Sequence, residues 1–129
     1  MKVFARRSFD IGTWIVVAAV VVQFLLAGLG IFAHPGFFFW HATVNASVIF
    51  FVPLLLILVG WYAGVPRGTL GLMAAITGLT LLQSLLLIPY RMNAPVALRA
   101  LAGLHTVNAL VVFWVALRLL QRTRKAEAL

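Results

Sequence analysis

The chain contains no cysteine. That excludes a disulfide scaffold, thiol redox chemistry including a quinone-linked thiol oxidase, cysteine-held iron–sulfur clusters and covalent c-type haem attachment. Acids are almost as scarce, with only two in the chain, Asp10 and Glu127, both near its ends. No carboxylate pair is available for general acid–base work, and no acid within an apolar run is available to couple a small transporter to protons. A nucleophile–base set and a phosphate-cradling glycine loop are also missing. Charged residues make up 9% of the sequence, whereas an ordinary soluble domain carries about 25%.

What the chain has instead is apolar sequence, 64% of its 129 residues. A helix rises about 1.5 Å per residue, so roughly 20 apolar residues cross the hydrocarbon core of a bilayer. Four segments meet this criterion: Ile11–Ala33, Phe37–Tyr62, Thr69–Pro89 and Ala100–Leu120. The first follows a basic leader, but it is too long for the roughly 7–15 residue core of a secretory signal and lacks a small-x-small cleavage site, so it reads as a retained anchor. Ser8 is the expected N-cap of that helix, with Asp10 in its first turn, where a negative charge suits the helix dipole. His34-Pro35-Gly36 and Gly64-Val-Pro-Arg-Gly68 read as tight reversals. In the third connection Asn93 or Ala94 is the expected cap and Pro95 an early helical residue. Short connections make consecutive helices antiparallel neighbours. The fold expected is a single all-α domain, an up-down bundle of four transmembrane helices.

The net charge of +8 would suit nucleic acid, but the basic residues flank apolar runs and form no stripe or aromatic-interleaved patch. They read as topology signals. With the N-terminus inside, the inner side holds Lys2, Arg6, Arg7, Arg67, Arg118, Arg122, Arg124 and Lys125, and the outer side only Arg91 and Arg99. The bias predicts that both termini are cytoplasmic. Trp14, Trp61, Tyr62 and Trp114 then fall near the inner interface, Trp40 and Tyr90 near the outer one.

Two polar clusters interrupt the apolar sequence. They are His41-Ala-Thr-Val-Asn45 in the second span and His105-Thr-Val-Asn108 in the fourth. Gln23 precedes the first cluster and Gln83 the second at similar spacing, so the chain reads as two pseudo-symmetric hairpins. Spans two and four both start on the outer side, which puts His41 and His105 at one depth, about 6–8 Å into the outer leaflet. Two imidazoles at one level on parallel helices can clamp one haem iron, Asn45 and Asn108 share the helical faces of their histidines, and a backbone carbonyl or one of these amides is the expected acceptor for the other ring nitrogen. Small Ala102 and Ala109 leave room for a flat macrocycle, with Gly28, Gly30 and Gly103 at a similar depth. Arg91 and Arg99 are placed to pair with haem propionates. The plainer alternative makes each His–Asn pair interhelical glue, and the same holds for Gln23 and Gln83, whose other reading is a haem edge or a quinone. His34 reads as a solvated turn residue. Pro53 frees the carbonyl of Ile49 and predicts a kink. Gly71, Ala75 and Gly78, with Thr77 and Thr80, read as a close-packing face.

The layout resembles one four-helix half of haem A synthase, with His near the outer start of helices two and four. It is also similar to small bacterial four-helix membrane proteins whose last helix carries Leu-His-x-Val-Asn-Ala-Leu, here Leu104-His105-Thr-Val-Asn108-Ala-Leu110. The resemblance covers roughly residues 11 to 120 and implies b-type haem held by the two matched histidines. Haem A synthase has two such halves and a carboxylate preceding a His on its outer side. This chain has one half and no membrane carboxylate, so the synthase activity does not carry over.

The function expected is that of an integral membrane b-type haem protein, an electron carrier or accessory redox subunit rather than an enzyme. Its partners would be the bilayer and other membrane redox subunits or a quinone, with a second copy of the chain as a further candidate. The competing expectation is a haem-free structural or assembly subunit of a membrane complex.

Overall fold

A computed structural model of the chain describes residues 1–127, with side chains as far as Arg124. The topology charge expected of Lys125 and the second acid, Glu127, therefore lie outside the described side chains. The described residues contain no strand. Helix α1 spans Lys2–Phe32. The second span, Phe37–Tyr62, is built from α2 (Phe37–Val44), a π-helical segment (Asn45–Phe50) and α3 (Phe51–Tyr62). The third, Arg67–Arg91, holds α4 (Arg67–Leu85) and a last turn, α5 (Ile88–Arg91). The fourth, Val96–Arg124, starts with α6 (Val96–Arg99), passes through a 3₁₀ turn (Ala100–Gly103) and continues as α7 (Leu104–Glu127). All four are long and apolar enough to cross a membrane.

Several boundaries differ from the expected ones for identifiable reasons. Helix α1 starts at Lys2, so Ser8 is an interior residue and not a cap. Asp10 meets Arg6 one turn away at 3.4 Å, an i,i+4 pair that carries the helix through the basic leader. Asn93 does not begin the fourth span. It takes a left-handed φ of 50° and terminates the third, with Ala94 N–H bonded to Pro89 O at 3.0 Å and Asn93 N–H to Tyr90 O at 3.2 Å. That double bond is the Schellman closure. Pro95 is itself the cap of α6. The same closure ends α3, where Gly64 supplies φ 75° and Val65 N–H reaches Gly60 O at 2.8 Å.

Around the bundle, α1 packs on α2 and α3, α3 on α4, α4 on α7, and α7 back on α1. The four spans form a ring in chain order, with the second and fourth across the diagonal. The tight core lies towards the end that holds the N-terminus. Phe9, Val16, Met73, Ile76, Ala116 and Leu119 are fully buried there. Gly60 lets α3 close on Phe9 and Leu70, whose side chains lie within 2.8 Å of where a Cβ would sit. Gly71 and Gly78 face open space instead, so of the small face expected on the third span only Ala75 and Thr80 turn inward, Ala75 against the core and Thr80 buried. Outward-facing Phe, Leu, Ile, Val and Trp side chains are widely exposed, which suits lipid. Hydroxyls in the spans are satisfied by their own helix: Thr13, Thr43, Ser47, Thr77, Thr80 and Ser84 each donate to the carbonyl four residues back.

The other end is hollow. Helix α2 buries no residue of its own. The π segment follows directly and stops two residues short of buried Pro53. Proline cannot donate to the carbonyl four residues back, and i→i+5 bonding re-routes the local ladder. The break expected at Pro53 therefore takes the form of a π turn.

Candidate functional site

The polar residues of the four spans converge on this hollow end. His41 Nδ1 donates to the backbone carbonyl of Gln23 at 3.1 Å, across a sequence separation of 18. His105 Nδ1 donates to the backbone carbonyl of Gln83 at 3.0 Å, across a separation of 22. Each hairpin thus makes the same bond between its two spans, and the repeat legible in sequence becomes a repeated contact. A carbonyl only accepts, so the proton sits on Nδ1. In the neutral ring this puts the lone pair on Nε2. The acceptors are main-chain carbonyls in both cases, not the amides of Asn45 or Asn108.

The two half-buried rings meet across the diagonal, with centroids 6.3 Å apart and planes inclined by 48°. They flank two adjoining cavities. The first, about 110 Å³, reaches between α1 and α7 past Gln23, Phe24, Thr106 and Ala109. The second, about 370 Å³, reaches between the second and third spans past Ala42, Ala46 and Ser84 to Arg91. His41, Asn45, Thr80 and His105 line both. Arg91 therefore stands at the mouth of the space between the histidines. Arg99 does not line it, and its Nε is buried without a partner. Ala109 lines the first cavity, while Ala102 sits in the 3₁₀ turn before His105. His34 lies in the exposed turn and accepts the Gly36 N–H at 3.0 Å, as a solvated residue would.

The two halves differ around their amides. Buried Asn108 donates to Leu79 O at 2.9 Å and to Gln83 Oε1 at 2.8 Å. That clasp holds the Gln83 amide with its Nε2 3.5 Å from His105 Nε2. In the second span Asn45 lies one residue further from its histidine, a rotation of about 100° on a helix. It makes only a 3.5 Å contact with Ser84 Oγ. Gln23 consequently has no clasp. It is 7% exposed, lines the first cavity, and both its amide atoms are buried without a hydrogen-bond partner. A buried unpaired amide costs about 1–3 kcal/mol, so this cavity wall suits an occupant or waters with polar atoms. The bland interhelical role expected of both glutamines holds for Gln83 alone.

Residues 23–89, just over half of the chain, match the model of a family of unknown function, DUF6220. The chain belongs to the DUF6220 family. The matched stretch of this DUF6220 chain runs from Gln23 to Pro89 and so includes Gln23, His41, Asn45 and Gln83, with His105 and Asn108 beyond it. No curated protein and no solved structure matches the chain.

Sequence reasoning did not foresee the carbonyls of Gln23 and Gln83 as the histidines' acceptors, nor Thr80 as a wall of both cavities. The matching Gln–His spacings of the two hairpins were the signal for the first.

Proposed function

We propose that this protein is a membrane b-type haem protein in which His41 and His105 hold one haem between the second and fourth spans. The observation that carries the reading is the 6.3 Å separation of the two rings. Nitrogens bound at about 2 Å on opposite sides of one metal, with each ring centroid about 1 Å behind its nitrogen, give roughly 6 Å. Three further features support it. Both Nδ1 protons are committed to carbonyls, which is how ligating histidines are oriented and kept in the required tautomer. The space between the rings opens on both sides, as a flat macrocycle requires, and Arg91 at its mouth suits propionates. Among the described residues no group of three or more His, Cys, Asp or Glu could hold a bare ion. A bare ion in a closed site wants about four protein ligands, whereas a macrocycle brings four in-plane nitrogens and needs two axial ligands at most.

In this reading His41 and His105 would hold the haem, Asn108 and Gln83 would brace the His105 side, and Arg91 would be the propionate partner. Haem b held by both histidines would supply one-electron transfer rather than oxygen chemistry. The chain's own residues keep the rings in tautomer and register and keep bulk water away. The protein would serve as an electron carrier or a subunit of a membrane redox complex, with a membrane subunit or quinone as redox partner. Its setting would be a bacterial inner membrane with both termini cytoplasmic, which the excess of arginine at the N-terminal end supports.

The test is the reduced-minus-oxidised optical spectrum of protein purified from haem-replete cells. A Soret band with split visible bands, lost or altered in His41→Ala and in His105→Ala, is the expected result. No chromophore, or a band indifferent to both changes, overturns the reading and leaves the interhelical-glue role.

A further inference from the structure

At the end of the bundle that holds the N-terminus, away from the histidines, α7 carries Trp114, Arg118 and Arg122 at successive i,i+4 positions on one face. With Gln121 and with Leu72 of α4 they line a cleft of about 380 Å³. We infer that this cleft binds the headgroup of one anionic phospholipid of the surrounding leaflet, with its phosphate on Arg118 and Arg122 and an acyl chain along Leu72 and Trp114.

Charge complementarity carries the argument. Two guanidinium groups one turn apart repel each other, and among the described residues no acid pairs with either of them. The only ion pair among the described residues is Arg6 with Asp10, and the one other acid is Glu127. The Arg122 guanidinium lies over Gly68: its Nη1 is 2.6 Å from where a Cβ there would sit, so the absence of a side chain at Gly68 admits it. Guanidinium forks match phosphate oxygens bidentately. Basic clefts between membrane helices at an interface are natural headgroup sites.

The cleft also discriminates between headgroups. A zwitterionic lipid brings an ammonium group that needs an acid or an open aromatic face. No acid is among the described residues that line the cleft, and one face of Trp114 already carries Arg118, at 5.3 Å from the ring centroid. Two cations share the lining with apolar Leu72 and Trp114, which fits a lipid better than a free anion.

The experiment is native mass spectrometry of the full chain released from nanodiscs of mixed phosphatidylglycerol and phosphatidylcholine. Wild type is expected to retain one phosphatidylglycerol in preference to phosphatidylcholine. Arg118→Gln with Arg122→Gln is expected to lower that retention roughly tenfold. Lys2→Gln with Arg7→Gln removes equal charge from the same end and is expected to leave it unchanged. Helical circular dichroism confirms that both variants fold, and Arg118→Lys with Arg122→Lys, which keeps charge without the fork, covers a misfolded glutamine variant with partial loss expected. Equal loss in the control pair, or no preference in wild type, means diffuse surface charge and overturns the inference. Displacement of the lipid by inorganic phosphate overturns the lipid assignment as well.

Discussion

His41 and His105 each give one ring nitrogen to a main-chain carbonyl of a neighbouring span, yet their surroundings are unequal. Asn108 donates to two acceptors and fixes Gln83. Asn108→Leu leaves the Gln83 Oε1 and the Leu79 carbonyl short of a donor and is expected to destabilise the detergent-solubilised protein by about 1–3 kcal/mol. Asn45→Leu loses only a 3.5 Å contact and is expected to cost under about 1 kcal/mol. Thermal unfolding followed by circular dichroism compares them, and equal losses would contradict the asymmetry. Gln23 gives the converse expectation. Its amide has no partner, so Gln23→Leu should leave the cofactor-free protein as stable as wild type or more so, while Gln83→Leu destabilises it. On the proposed haem reading the sign reverses for Gln23 once the cavity is filled with a polar-edged occupant, and haem-loaded and haem-free samples should rank the variant differently.

The helices close on one another where a glycine or a threonine removes bulk or hides a hydroxyl, and they part where the polar residues sit. At Gly60 a Cβ would meet the fully buried ring of Phe9 at 2.8 Å, and an aromatic ring in a packed core has little room to move. Gly60→Ala is expected to lose about 1–3 kcal/mol by overpacking. Gly71 faces open space on the outside of α4, so Gly71→Ala should change stability by no more than about 1 kcal/mol, in the stabilising direction that helix propensity gives. Unfolding midpoints of the two variants in the same detergent decide this. A large loss at Gly71 would instead reveal a partner helix on that face. In the second span the π segment and Pro53 leave α2 as a short helix with no buried residue. The histidine it carries stands mid-way along α2, whereas His105 stands in the first turn of the long α7.

For the molecule as a whole, packing density is uneven along the membrane normal. One end is a filled core around Phe9, Met73, Ile76 and Leu119, and the other holds the cavities between the histidines. The proposed topology puts the filled end at the cytoplasmic face. Fusions of a phosphatase active only outside the cytoplasm are expected to be silent after Arg124 and active in the His34–Gly36 turn. The opposite pattern would invert the assignment and move the histidines to the inner leaflet.

Much of this was legible in the residues themselves. Hydropathy determines the four spans, because a run of about 20 apolar residues has few stable settings other than a bilayer. Short connections determine the up-down order, and rise per residue sets His41 and His105 at one depth. What the tertiary structure decided is lateral. Sequence gives the depth of a side chain but not which neighbour it faces, since that depends on how four helices rotate about their axes to fill a shared core. Only that rotation put the imidazoles 6.3 Å apart, turned Asn108 onto Gln83, and left Asn45 off Gln23. It turned Gly71 and Gly78 outward although their spacing suggested a packed face. It also made caps and turns of residues read otherwise: Ser8 was absorbed into a helix extended by the Arg6–Asp10 pair, and Asn93 closed the third span by adopting a left-handed φ, a choice settled by the hydrogen bonds of the folded turn and not by the residue type alone.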